Sequence, residues 1–289
     1  MTADLLCRSA VLLAEELALS ADVRARLTPF FNEAFFSDAL PFCRALTDAA
    51  KAQNAQAQLP TAGDPEGWRR LAILLGAACL TRERYAQAGI PQDVFRDTMG
   101  CFSRFIAETQ ARTGALCFDR SVWVWRQTAC RLFRLGALEF EYRAAWEGEP
   151  LPEGLRPGQP VLRVHIPSDA QLSDRALAAS YRRAAELFAG PALQFCTLGP
   201  PRAVLCGTWL LSPRLLPLLP ENSGIRRFQQ DYQLYADDLK DESFYLWLFG
   251  GKRPLDQLPR NTRLQRAVQA QLLEGNPIGA ACGRLKTWL

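Results

Sequence analysis

A chain of 289 residues, 48% hydrophobic and 22% charged, has the length and apolar content to bury one large core or two ordinary ones. Its net charge of +4 is dispersed, with basic residues set among acidic ones, so the concentrated footprint of a nucleic-acid binder is missing and no nucleic-acid partner is expected. The opening Met1-Thr2-Ala3-Asp4-Leu5-Leu6 carries no basic n-region, and the apolar stretch around Leu71 to Leu80 falls far short of the ~20 residues a membrane span needs, so a cytoplasmic protein with no membrane partner is expected.

Apolar spacing predicts helices through the first half. Leu6, Ala10, Leu13 and Leu17 share one helical face, as do Phe95, Met99, Phe102 and Ile106. Further helices are expected over Pro29 to Ala50, Trp68 to Ala88 and Asp119 to Leu135, with a loop over Lys51 to Gly67. Pro91 and Asp93 suit the first turn of a helix, and Gly136 closes the helical half. Beyond it the period changes to two: Leu138, Phe140 and Tyr142 alternate with Glu139, Glu141 and Arg143, as in a strand with one wet face. These changes of period predict a helical domain over 1–135 and a mixed domain over 136–289.

After a proline- and glycine-rich loop, Glu147 to Pro160, the expected elements are a strand Val161 to Ile166 and a helix Asp174 to Ala189 capped by Ser173. Strand-like runs follow at Leu193 to Leu198 and Ala203 to Leu211, then a short helix Pro213 to Leu219. Further strand-like runs at Arg227 to Ala236 and Ser243 to Phe249 lead to a helix Thr262 to Glu274 and a terminal strand near Ile278 to Leu285. Strand, helix and strand from Val161 to Leu211 form a βαβ unit, which places ligands at the carboxyl ends of its strands.

His165 is the single histidine, and it stands at such an end. A Ser/His/Asp relay, a Cys/His pair or a histidine base would each have to use it, multi-histidine zinc sites are excluded, and no metal is expected. No Gly-x-Ser-x-Gly elbow accompanies it, which counts against a hydrolase. The nine cysteines are odd in number and form no CxxC pair, so they read as reduced thiols, mostly in apolar runs.

Three blocks carry a family resemblance: GIPQDVFRDTM continuing to FDRSVWVWRQTACRLFRLGALEFEY, HIPSDAQLS leading to GTWLLSPRLLPLLPENSGIRRF, and LPRNTRLQRAVQAQLLEGNPIGAACG. The chain resembles, over its whole length, a bacterial acyltransferase family with a helical N-terminal domain and a C-terminal domain similar to the GCN5-related N-acetyltransferases (GNAT-like). The resemblance implies an α+β architecture, an all-α N-terminal domain followed by a GNAT-like mixed α/β domain. It also implies transfer of an acyl group from acyl-CoA or acetyl-CoA to a small-molecule amine acceptor. Val161 to Ile166 and Ala203 to Leu211 would be the two strands that splay around the pantetheine arm.

On that resemblance His165 would deprotonate the amine, a task suited to an unperturbed imidazole pKa of about 6.5. The competing reading is a strand-end histidine satisfied by backbone. Cys206 would stand beside it and could carry the acyl group as a thioester, against the commoner role of an inert core thiol. Tyr232 and Tyr245, on the later strands, could protonate the leaving thiolate, although strand aromatics usually pack. Ser168 and Asp169 could contact substrate or orient His165, or serve as turn residues. Trp209 could wall the pocket. Arg131 and Arg134 read as cations in the last turn of a helix, offsetting its dipole, or as partners of an anion.

The pyrophosphate cradle of this fold is a glycine-rich loop at a helix N-terminus. The corresponding segment here, Ser168, Asp169, Ala170, Gln171, Leu172 and Ser173, has no glycine and carries a carboxylate, with Asp174 next to it. Gly224 also departs from the family, which tends to carry Asn there. The glycine-free loop points to the alternative reading, a non-catalytic GNAT-like binding or regulatory module.

Overall fold

The computed structural model describes residues 1–287 and divides into two compact units, Met1–Arg134 and Leu135 onward. In the first unit the chain forms α1 (Ala3–Glu16), α2 (Ala21–Leu27), α3 (Glu33–Thr47), α4 (Ala52–Ala57), α5 (Trp68–Ala88), α6 (Gln92–Met99), α7 (Cys101–Thr113) and α8 (Ser121–Thr128). Thr2, Ser20 and Asn32 cap α1, α2 and α3 by accepting from the N–H groups of Leu5, Val23 and Phe35. Helix α5 buries every residue from Leu71 to Cys79, so it is apolar all round, and α1, α3 and α8 pack against it.

The expected helix over Asp119 to Leu135 is corrected. Helix α8 stops at Thr128, Cys130 takes a left-handed φ of 56°, and Leu132–Leu135 becomes strand β1. A non-glycine residue in that region ends a helix. Arg131 and Arg134 therefore lie outside any helix, which removes the dipole reading. The face shared by Phe95 and Ile106 belongs to two helices that meet at Gly100, and the expected loop over Lys51 to Gly67 contains α4.

The second unit continues with β2 (Leu138–Ala144), β3 (Pro160–His165), α9 (Asp174–Ala189), β4 (Val204–Thr208), α10 (Gly224–Gln230), β5 (Tyr232–Asp238), α11 (Ser243–Phe249), α12 (Arg263–Leu273) and β6 (Ala280–Leu285). The strands form one sheet of order β1-β2-β3-β4-β6-β5. β3 and β4 run parallel, with α9 as the crossover, while β2–β3, β4–β6 and β6–β5 are antiparallel. Helix α9 covers the sheet face that carries Phe140, whose ring meets Tyr181 edge-on at 6.5 Å.

Two strand expectations fail and two hold only in part, each for a local reason. Leu193 to Leu198 is mostly a 3-10 turn, Pro191–Phe195, opened by proline. β4 ends at Thr208, whose hydroxyl accepts from the Leu210 N–H and caps the 3-10 turn Trp209–Leu211. Arg227 to Ala236 divides into the end of α10 and the start of β5. Ser243 to Phe249 is helix α11, because Tyr245 and Phe249 recur at helical spacing and bury together with Phe244. Strand β2 also has no wet face: Glu139, Glu141 and Arg143 are as buried as their apolar neighbours. Among the described residues no helix is long and apolar enough to cross a membrane, and no cluster of His, Cys, Asp and Glu could hold a metal ion.

Candidate active site

The buried charges of β2 meet the end of β3. Register pairs Glu139 with His165 and Glu141 with Arg163, so alternate residues of both strands project onto one face. There His165 Nε2 lies 2.9 Å from Glu141 Oε2. The Glu141 side chain is 7% exposed and the imidazole 27%, so a buried carboxylate holds a ring that still reaches solvent. With Nε2–H donated to Glu141, Nδ1 carries the lone pair. Glu141 was not singled out in the sequence; its signal there was a carboxylate on the charged side of an alternating strand.

A second buried ion pair lies on the same face. Glu149 accepts from Arg143 Nη1 at 2.8 Å, from Arg143 Nη2 at 2.6 Å and from the Trp146 N–H at 2.6 Å. Burial pushes the Glu149 carboxyl up, but the hydrogen bonds from Arg143 and Trp146 outweigh it and hold the group below its ordinary value. The Arg143 guanidinium also stacks 3.9 Å above the Trp146 ring.

β3 and β4 pair only at Leu162–Val204 and Arg163–Leu205. Beyond that the Cys206 thiol reaches the Val164 carbonyl at 3.6 Å. The expected Cys206–His165 pair does not form. A Cβ on Gly207 would meet Arg163, so Gly207 shares the His165 face and Cys206, one residue earlier, points to the opposite one. Burial pushes its thiol up to about 12, which leaves it an undissociated core group. Tyr245 is likewise displaced: it lies on α11 in an apolar cluster with Trp209, Phe244, Phe249 and Val268. Trp209 and Tyr245 are thus brought together. Tyr232 is fully buried beside Tyr181, and burial raises both phenols.

The loop from Ser168 to Ser173 joins β3 to α9. The Ala170 N–H is spent on the Pro167 carbonyl, and the Ser173 hydroxyl caps the Ala176 N–H. Asp174 does not stand as a bare charge, because Arg227 Nε reaches it at 2.7 Å. The departure at Gly224 has a steric reason, since a Cβ there would lie 2.8 Å from the Leu172 carbonyl oxygen. Gly224→Asn is expected to push this loop outward and to cost about 1–3 kcal/mol, read as a fall in melting temperature.

A sheet that parts along a parallel seam, with a crossover helix opening beside the gap, offers a thioester a slot between strands. That geometry defines the GNAT-like acyl-transfer class. The chain belongs to the family that joins an N-acyltransferase N-terminal domain, matched over residues 8–130, to a GNAT-like C-terminal domain, matched over 132–285, and it is an acyltransferase by that membership. No curated protein matches it in sequence.

Solved structures do match. An acyltransferase in complex with decanoyl-CoA and teicoplanin superposes with a TM-score of 0.76 at 22% identity, covering 94% of this chain and 86% of that one. An acyltransferase mutant in complex with octanoyl-CoA gives 0.77 at 21% identity, over 96% and 88%. A further acyltransferase complex with decanoyl-CoA gives 0.65 at 20%, over 96% and 99%. At these identities the likeness is one of fold.

Proposed function

We propose that the chain is an acyl-CoA-dependent N-acyltransferase that moves an acyl group from a CoA thioester to the amine of a small-molecule acceptor. The observation that carries this reading is the Glu141–His165 pair at the parted end of β3, in a chain of this family. The acceptor ammonium loses a proton to His165 Nδ1 and Glu141 steadies the resulting imidazolium, after which the amine attacks the thioester carbonyl. Collapse of the tetrahedral intermediate breaks the C–S bond, and the departing thiolate takes the proton that the attacking nitrogen gives up, leaving a neutral amide and CoA thiol. Orientation between the strands and backbone donors on the oxyanion supply the rest of the barrier reduction.

The N-terminus of α9 and the loop Ser168, Asp169, Ala170, Gln171, Leu172 and Ser173 would take the pyrophosphate, with Arg227 offsetting the charge of Asp174. Trp209 would stand at the wall. The acyl-CoA and teicoplanin complexes of the structural neighbours support an acyl-CoA donor and a small-molecule acceptor here. The same reading assigns 1–135 to the helical domain and 136–289 to the transferase domain of a bacterial, cytoplasmic protein.

One observation favours a second reading. The loop lacks glycine and spends the Ala170 N–H internally, as a binding module that has given up CoA would. Calorimetric titration with CoA, acetyl-CoA and decanoyl-CoA separates the two. The transferase reading expects saturable binding, tightest for one acyl-CoA. No heat from any of the three, in folded protein, gives way to the module.

A further inference from the structure

The β3–β4 ladder stops at a definite rung. The Leu162 N–H donates to the Ala203 carbonyl at 3.0 Å, so the backbone groups of Leu162 and, by alternation, of Val164 face β4. On β4 those of Leu205 and Gly207 face back for the same reason. One further rung would carry the Gly207 N–H to the Val164 carbonyl and pair Val164 with Cys206. The register ends one pair short of it, at Arg163–Leu205. The Gly207 N–H has no turn toward β6 either, since alternation gives that side to Cys206 and Thr208, which stand opposite Gly283 and Ala281. Gly207 is solvent-exposed although β4 is an interior strand, where backbone donors are normally spent on a neighbour.

The Val164 carbonyl has another claimant. Cys206 Sγ lies 3.6 Å from it, and a thiol is a donor, though a weak one. Cys206 is fully buried, and burial pushes its thiol up to about 12, so the proton stays on sulfur.

We infer that Cys206 is a positioning residue of the transfer site: its thiol occupies the Val164 carbonyl, which leaves the Gly207 N–H at the edge of the seam to donate to a carbonyl of the acyl-CoA arm. Without that thiol the Val164 carbonyl is a buried acceptor in need of a partner, and the donor that register brings to it is the Gly207 N–H. The ladder then gains a rung and the seam shortens. The role needs no ionised sulfur and no covalent step. It rests on the acyl-CoA reading above for the ligand, whereas the state of the Gly207 N–H can be measured without it.

The test compares the native chain with Cys206→Ala and Cys206→Ser, two variants that remove similar volume, after melting temperatures show each to be folded. In the native protein without ligand the Gly207 amide is expected to exchange with deuterium faster than the Leu205 amide, read by NMR. In Cys206→Ala it should slow by about tenfold or more as it joins the ladder. Calorimetric Kd values for acetyl-CoA and decanoyl-CoA should rise about three- to tenfold in Cys206→Ala, the worth of one hydrogen bond. Cys206→Ser, whose hydroxyl still donates, should restore both the native exchange rate and the native affinity. A Gly207 amide as protected as that of Leu205 in the native protein, equal exchange in native and Cys206→Ala, native affinity in Cys206→Ala, or a serine variant no different from the alanine one would each overturn the inference. If exchange changes as expected and the native protein binds no acyl-CoA, the thiol's hold on the seam stands and the acyl-CoA reading fails.

Discussion

His165→Gln is expected to lower kcat by about 10²–10⁴-fold, the range spanned by general-base catalysis, with acyl-CoA affinity nearly unchanged. Glutamine keeps the size and a hydrogen-bonding end but has no basic nitrogen. Glu141→Gln should lose less. Exchanging a charge-assisted bond for a neutral one forfeits about 1–1.5 kcal/mol, or about fivefold to tenfold in rate. The double variant should be little worse than His165→Gln, because the carboxylate acts only through the ring. Single-turnover rates with calorimetric Kd values for each protein check this, and turnover that survives His165→Gln would remove the imidazole from the mechanism.

Glu149→Ala is expected to destabilise the second unit by about 3–5 kcal/mol, since it strands the buried Arg143 guanidinium without its counter-charge. The Arg143 side chain is 6% exposed and packs over the Trp146 ring. Pairing Arg143→Met with Glu149→Gln should recover much of the loss, because an uncharged replacement of the pair avoids the cost of desolvating two charges while the glutamine oxygen can still accept from the Trp146 N–H. Acid should act in the same direction. Glu149 has its pKa lowered in the folded state, so its contribution is fully present above the ordinary value of 4.5 and is lost as pH falls through the lower folded value. Denaturant unfolding at neutral pH and below pH 4.5 measures both effects; equal sensitivity to acid in native protein and Glu149→Gln would show that the pair is not responsible.

The fold was legible wherever one face of an element buries at a single period. The βαβ unit from β3 to β4 followed from such patterns, as did α5 and α9. The failures share a cause in tertiary packing. The aromatic run at 243–249 has the composition of a strand, and only burial of Phe244, Tyr245 and Phe249 against Trp209 and Val268 makes it a helix. β2 read as half-wet because charge normally marks solvent, whereas Arg143 and Glu149 neutralise one another in the interior. The same blind spot hid Glu141. His165 stood out by being alone, but its carboxylate partner lies 24 residues earlier and is set by antiparallel register, which no local pattern encodes. Cys206 was paired with His165 by strand adjacency, and a parity of one residue sends it to the other face.

The shortness of the β3–β4 ladder also divides the sheet mechanically. Six register pairs tie β2 to β3, four tie β4 to β6 and six tie β6 to β5, whereas two tie β3 to β4. The sheet is therefore two antiparallel ribbons hinged along one weak line, and a molecule wedged into that line strains few hydrogen bonds. Amide protons bordering it should exchange with deuterium sooner than those inside either ribbon, since small openings need only part the two pairs and the Arg202–Pro160 hydrogen bond beside them. A wedge that supplies its own amides would knit the ribbons together and slow that exchange.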